Sequence, residues 1–284
     1  MKSTGIISVI MIMTGILLVI GCSEEDKDLI DRMQLEHNDD EPVANAAADY
    51  SPIQEVTTET VTYATVDGEP VTGYLAYPGN AADDIPGIIV IHEWWGLNDN
   101  IRMMTRRLAE QGYRALAVDL YNGESAESAD RAGELARKAG EHPERAVSNL
   151  EQAYRYLREE HRVPRVGTIG WCFGGGWSLQ TALALPQNID ATVIYYGRLV
   201  TDPGQLQKLE MPILGIFGSE DSGIPPEEVR KFETALNEAG ISNSIHIYDG
   251  AGHAFANPSG NRYMEEAAED AWNKTISFFE EYLK

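Results

Sequence analysis

Three short stretches of this chain hold residue types that together could perform acyl transfer. The first is Gly170-Trp171-Cys172-Phe173-Gly174-Gly175-Gly176. It lies between a predicted strand, Arg165 to Gly170, and a predicted helix, Phe173 to Leu185. A nucleophile displayed at a sharp strand-to-helix turn needs neighbours almost free of side chains, and these glycines supply them. At a helix N-terminus the backbone N–H groups and the helix dipole favour a thiolate on Cys172. The N–H of Phe173 is placed to bind an oxyanion. A glycine-rich turn around an inert, buried cysteine would look the same, so the partners decide.

The second stretch is Phe217-Gly218-Ser219-Glu220-Asp221-Ser222-Gly223-Ile224-Pro225, and the third is Gly250-Ala251-Gly252-His253-Ala254-Phe255. Each follows a predicted strand, so both loops emerge at the sheet edge where the cysteine turn sits. The order nucleophile, acid, histidine is the one this kind of sheet uses. Asp221 can hold one nitrogen of His253 while the other faces Cys172; Glu220 is an ordinary exposed acid. His37, His142, His161 and His246 are given no role. His92-Glu93-Trp94-Trp95-Gly96 follows the first buried strand, and the backbone of Trp94 is the expected second oxyanion donor. Glu93, a charge at the mouth of a buried strand, is costly unless paired or exposed. It is either a rim charge or a neighbour of Cys172. Trp94, Trp95, Tyr121, Tyr195 and Phe255 suggest an aromatic-lined pocket.

The elements that must position these residues alternate in type. Glu55 to Val66 and Thr72 to Tyr77 are β-rich, and Asp67-Gly68 between them signals a tight antiparallel turn. Gly87 to His92 and Arg114 to Asp119 are short apolar runs, as in strands buried on both faces. Ala191 to Tyr196, Pro212 to Phe217 and Ser244 to Tyr248 complete the strand set. Helices are expected over 98–111, 127–140, 143–161, 226–239 and 263–283. This alternation predicts an α/β fold with a doubly wound, mostly parallel sheet preceded by antiparallel strands.

The N-terminal part is different. Lys2 precedes an uncharged run from Gly5 to Gly21, and Val19-Ile20-Gly21-Cys22 resembles a bacterial lipobox. Residues 1–21 are therefore expected to be a lipoprotein signal peptide, with Cys22 lipidated and the protein held on a membrane surface of the bacterial cell envelope, outside the cytoplasm. From Ser23 to Gln54 there are ten acidic residues against Lys27 and Arg32. With few large apolar residues, segment 22–54 is expected to be a solvated tether to a domain spanning 55–284. The formal charge of −23 repels nucleic acid and anionic headgroups, so any membrane attachment falls to the lipid. With Cys22 acylated, Cys172 has no cysteine left to pair with. No metal-ligand spacing accompanies His92 and Glu93, and no phosphate loop follows the first strand, so no metal or other cofactor is expected. A monomer is expected.

Glu93-x-x-Gly96, Asp119-Leu120-Tyr121, Gly170-x-Cys172-x-Gly174-Gly175, Tyr195-Tyr196-Gly197, Gly218-x-x-Asp221 and Gly252-His253-x-Phe255 together resemble the dienelactone hydrolase family, over about residues 56–284. The resemblance implies an α/β-hydrolase fold and a Cys172-His253-Asp221 triad. It also implies that Glu93 takes the thiol proton when substrate binds. Small esters or lactones are then cleaved through a thioester, with Tyr195, Phe255 and residue 257 near the substrate. One position departs from the pattern. The dienelactone-specific enzymes carry an arginine four residues after the histidine to grip the substrate carboxylate, and Asn257 stands there. Arg102, Arg131, Arg145 or Arg198 could substitute. The alternatives are a non-catalytic, ligand-binding surface lipoprotein or a redox reporter. Neither has a use for Cys172, Asp221, His253 and Glu93 together.

Overall fold

Asp67 and Gly68 both adopt positive φ, 53° and 84°. That pairing matches the right-handed twist of the strands it joins. The hairpin it closes is β1 (Val56–Val66) and β2 (Glu69–Pro78), in a computed structural model that describes Asp31, Gln34 and residues 50–82 and 84–284. Its register shifts between Thr62 and Ala64, a bulge at Tyr63.

The remaining strands are β3 (Gly87–Ile91), β4 (Arg114–Val118), β5 (Val166–Trp171), β6 (Ala191–Tyr195), β7 (Ile213–Gly218) and β8 (Asn243–Tyr248). Their order in the sheet is β1-β2-β4-β3-β5-β6-β7-β8. β1, β2 and β4 pair antiparallel; every pairing from β4 to β8 is parallel. Strands β3 to β7 are buried throughout, which is why they read as unbroken apolar runs.

Helices cover both faces. Alternation along β3 sends Ile88 and Val90 into one core and Ile89 and Ile91 into the other. The first core is closed by α1 (Asp99–Glu110) and α7 (Glu265–Leu283), through Ile101, Met104, Leu108, Trp272 and Phe279. α2 (Ala129–Glu141) adds Ala132 and Leu135 to the same core. The second is closed by α3 (Pro143–Arg155), α4 (Phe173–Ala184) and α6 (Pro226–Glu238), through Leu150, Leu179, Phe232 and Leu236. A one-turn helix, α5 (Pro203–Leu206), lies between β6 and β7 and is too short for periodicity to reveal.

Two helix boundaries differ notably from the sequence expectation. The helix expected over 143–161 ends at Arg155 and continues as a π-type turn, Tyr156–Glu160. The last helix begins at Glu265, not Tyr263. Before the domain, a few described residues make contacts with it. Arg137 binds Asp31 at 2.9 Å, Gln34 donates to Asp130 at 2.6 Å, and the N–H groups of Ile53 and Gln54 donate to Glu110. These partners sit on α1 and α2. The signal peptide and Cys22 lie outside the described residues.

Candidate active site

The parallel strands put four loops on one sheet edge, and β3 and β5 are neighbours at the point where strand order reverses. That crevice is where such sheets bind ligands. Cys172 sits there, between β5 and α4, at φ 55° and ψ −118°. This is a conformation an L-residue adopts only when its surroundings enforce it. The surroundings are glycine contacts. A Cβ on Gly170 would stand 2.0 Å from the Gly174 carbonyl oxygen, and one on Gly174 would stand 2.3 Å from the Ile91 oxygen. The N–H of Cys172 donates to Tyr195 O at 3.0 Å, and its own carbonyl accepts from Gly175 and Gly176. The start of α4 is thereby seated on the end of β3. Phe173, first residue of that helix, has an N–H with no partner inside it. Trp94 lies in the adjoining loop, buried, after Glu93.

Asp221 and His253 are equally well placed. Gly218 ends β7 so close to the next loop that a Cβ would lie 2.2 Å from Ala251 O. The carboxylate Oδ1 of Asp221 accepts from the N–H groups of Gly223 and Ile224, both at 2.9 Å. Oδ2 accepts from His253 Nδ1 at 2.8 Å, and both residues are buried. Asp221 therefore caps its loop and orients the imidazole at once. Burial works against charge on His253, but Asp221 and Cys172 outweigh it and hold its pKa well above the usual value. Burial likewise opposes the charge on Asp221, and His253 with the two amides wins, keeping the carboxyl below its usual range.

Glu93 is buried beside them, 2 % exposed. Asn257 Nδ2 donates to its Oε2 at 2.7 Å and Asn100 Nδ2 at 3.4 Å. Burial pushes its pKa up to about 7, against the pull of His253 and Asn100. The rim-charge alternative does not fit this burial.

Sequence reasoning passed over His92. Its Nδ1–H donates to the Glu93 carbonyl at 2.6 Å, and its Nε2 accepts from the N–H of Leu120 at 3.1 Å. Those partners fix the tautomer, and burial keeps the ring neutral. His92 ties the Glu93 loop to the loop after β4. A histidine ending an apolar strand is the only signal it gives.

The three residues expected at the substrate each have a partner within the fold. Tyr195 points its hydroxyl to Thr275 of α7 at 2.7 Å. Phe255 is fully buried against Tyr196 and Tyr248. Asn257 is held by Ser259 N–H on its Oδ1, which turns its amide nitrogen to Glu93. Of the four arginines, Arg102 pairs with Asp99, Arg131 with Glu124 and Glu134, and Arg145 with Asp67, while Arg198 is exposed.

A mostly parallel sheet covered on both faces, with a strained residue displayed between β5 and α4, defines the α/β-hydrolase fold. Within it, the chain belongs to the dienelactone hydrolase family, whose model matches residues 71–283. It is thus a carboxylic ester hydrolase. "Protein usf" of Aquifex pyrophilus is 34 % identical, over 76 % of this chain and 96 % of that one. The "Putative carboxymethylenebutenolidase" of Saccharolobus solfataricus is 31 % identical, over 77 % and 96 %. Among solved structures, the "Putative Dienelactone Hydrolase" of Klebsiella pneumoniae superimposes with a TM-score of 0.73 at 27 % identity, covering 81 % of this chain and all of that one.

Proposed function

We propose that this hydrolase cleaves small esters or lactones with Cys172 as nucleophile; relatives that carry the name "Putative carboxymethylenebutenolidase" support the substrate class. The observation that carries the reading is the buried His253–Asp221 pair at 2.8 Å, set beside a cysteine at φ 55°. Cys172 Sγ attacks the carbonyl carbon, and the oxygen takes the electron pair. The N–H groups of Phe173 and Trp94 hold that oxyanion. The C–O bond then breaks, His253 protonates the leaving oxygen, and a thioester remains. Water attacks the thioester, His253 takes its proton, and the thiolate leaves with the acid released. Glu93, near pKa 7, is suited to accept the thiol proton at the start. Thiolate is a good leaving group, so enol esters, activated esters and lactones are favoured over amides.

The test is hydrolysis of p-nitrophenyl acetate by the full chain, beside Cys172→Ala and after iodoacetamide. Turnover lost in both controls supports the reading. Turnover that persists in Cys172→Ala removes it, and a ligand-binding role gains weight if neither protein turns over. Lipid attachment at Cys22 and an extracytoplasmic cell-envelope location belong to the same proposal. Mass spectrometry of the mature N-terminus decides them.

A further inference from the structure

Two buried side chains beside Cys172 have no task in that scheme. Tyr196 follows β6 at φ 35°, a left-handed conformation that a bulky aromatic residue rarely adopts. Its N–H is held by Ile216 O at 2.8 Å. The ring is fully buried, 5.1 Å from the His253 ring and 5.7 Å from Phe255. Tyr121 follows β4. Its N–H donates to the Asp119 carboxylate at 2.8 Å, which also accepts from Gly123. Its ring lies 4.6 Å from His92 and 5.4 Å from Phe173.

Neither phenolic hydroxyl finds a partner among the described residues. A buried hydroxyl left unpaired is costly and calls for an explanation. Being unpaired is not enough by itself. Tyr113 shares the property, yet it precedes β4 and so lies at the opposite end of the sheet. Position is what separates the other two. The order β4-β3-β5-β6 sets Tyr121 on one flank and Tyr196 on the other flank of the β3–β5 edge that carries Glu93 and Cys172.

We propose that the hydroxyls of Tyr196 and Tyr121 bind substrate by donating hydrogen bonds to its uncharged oxygens, so that the site selects uncharged esters and lactones over carboxylate-bearing ones. The proposal rests on the cysteine-hydrolase reading above and adds its substrate class. Burial first, then Glu93 and Cys172 at Tyr196 and Cys172 and Asp119 at Tyr121, raise both phenols well above their usual range. They therefore stay protonated donors at any working pH. The charges around them are three acidic groups, Glu93, Asp221 and the nucleophile, against one cation, His253, which Asp221 pairs at 2.8 Å. The amide of Asn257 is spent on Glu93, and Arg102, Arg131 and Arg145 are paired with carboxylates. A substrate carboxylate buried here would meet these acids, and the nearest cation, the His253 imidazolium, is already paired with Asp221.

The test uses the full chain, Tyr196→Phe and Tyr121→Phe, and two readouts. One is kcat/KM on p-nitrophenyl acetate and on p-nitrophenyl hemisuccinate. The other is protection of Cys172 from iodoacetamide by an uncharged trifluoromethyl ketone, whose carbonyl carbon adds to the sulfur. The acetate is expected to be preferred at least tenfold. Tyr196→Phe is expected to lose at least tenfold in kcat/KM and in ketone affinity, and Tyr121→Phe severalfold. Melting temperatures should hold or rise, and alkylation of the free enzyme should stay within twofold. Both variants within twofold of the parent on both readouts would overturn the proposal, as would preference for the hemisuccinate. Activity lost in step with melting temperature would show the hydroxyls to be structural and overturn it too. Absence of both turnover and ketone protection in the parent would instead sink the cysteine-hydrolase reading, and this proposal with it.

Discussion

Asn257 Nδ2 stands 2.7 Å from Glu93 Oε2, joining residues that are far apart in sequence. Asn257 occupies the place where dienelactone-specific enzymes hold an arginine. An arginine there would bring a permanent charge to the pocket. The asparagine brings a neutral donor, and Ser259 turns it inward. Its effect falls on the carboxylate rather than on a ligand. With Asn100 it supplies hydrogen bonds to a group that burial has made reluctant to ionise.

Glu93 makes stability depend on pH. Its pKa is about 7 in the folded chain against an ordinary 4.5. Between those values the native state keeps a proton that the unfolded chain has lost, so stability falls as pH rises through the window. Above pH 7 the loss reaches roughly 3 kcal/mol. Glu93→Gln keeps an oxygen for Asn257 and removes the charge. Its melting temperature should match the parent near pH 4.5 and exceed it by roughly 5–10 °C at pH 8. Turnover should fall at the same time. A difference that does not change with pH, measured by calorimetry, would contradict this account.

Asp221→Asn should cost turnover far more than stability. An amide nitrogen facing Nδ1 reverses the histidine tautomer, and the Cys172-facing nitrogen can no longer accept a proton. A loss in kcat of about 10³–10⁴ is expected. The lowered pKa of Asp221 stabilises the fold above its unfolded value, and that contribution disappears as pH falls through the folded value. The gap in melting temperature between parent and variant should therefore narrow in acid. A constant gap, or a loss of less than tenfold, would show that Asp221 mainly caps its loop.

Much of this site is legible in the sequence because local constraints write it there. Gly170 and Gly174 are demanded by backbone contacts near 2 Å, and Asp221 and His253 follow β7 and β8 in a fixed order. Strands β3 to β7 are legible because both faces are buried. What was missed depends on direction and distance. Tyr195 and Tyr196 are adjacent aromatics, and only the backbone decides which one faces His253. The hydroxyl of Tyr195 goes to Thr275, while the positive φ of Tyr196 sets its ring against His253. The role of Asn257 needed Glu93, on another loop. The end of α3 at Arg155 carries no proline or glycine to announce it.

The glycines divide by what surrounds them, and alanine separates the groups. At Gly170 a methyl would meet backbone, 2.0 Å from Gly174 O and 2.2 Å from Gly174 C. At Gly240, φ is +76° and nothing lies within 4 Å. Gly240→Ala should cost about 1–2 kcal/mol, the penalty of left-handed backbone alone. Gly170→Ala should cost about 4 kcal/mol or more, or fail to accumulate as folded protein. Urea titration compares them directly. Equal costs would mean that the strand-to-helix turn can relax away from the close contact.

His92 should prove to be a positioning residue whose loss is felt through Glu93 and Leu120. Replacing it with alanine strands the half-buried Leu120 N–H, at about 1–3 kcal/mol, and leaves the Glu93 carbonyl with the Gly96 N–H alone. The sign of its pH dependence is opposite to that of Glu93. Burial lowers its pKa, so below about pH 6.5 the unfolded chain takes up a proton that the native ring refuses, and stability falls as pH falls. His92→Ala removes that dependence. Its deficit should be largest near pH 8 and shrink towards pH 5. Because the ring itself touches no reacting atom, kcat should fall with the acid limb of the pH–rate profile displaced, as the Glu93 loop loosens. A deficit that grows in acid would require a charged His92 in the fold, and the link between the two loops would have to be redrawn.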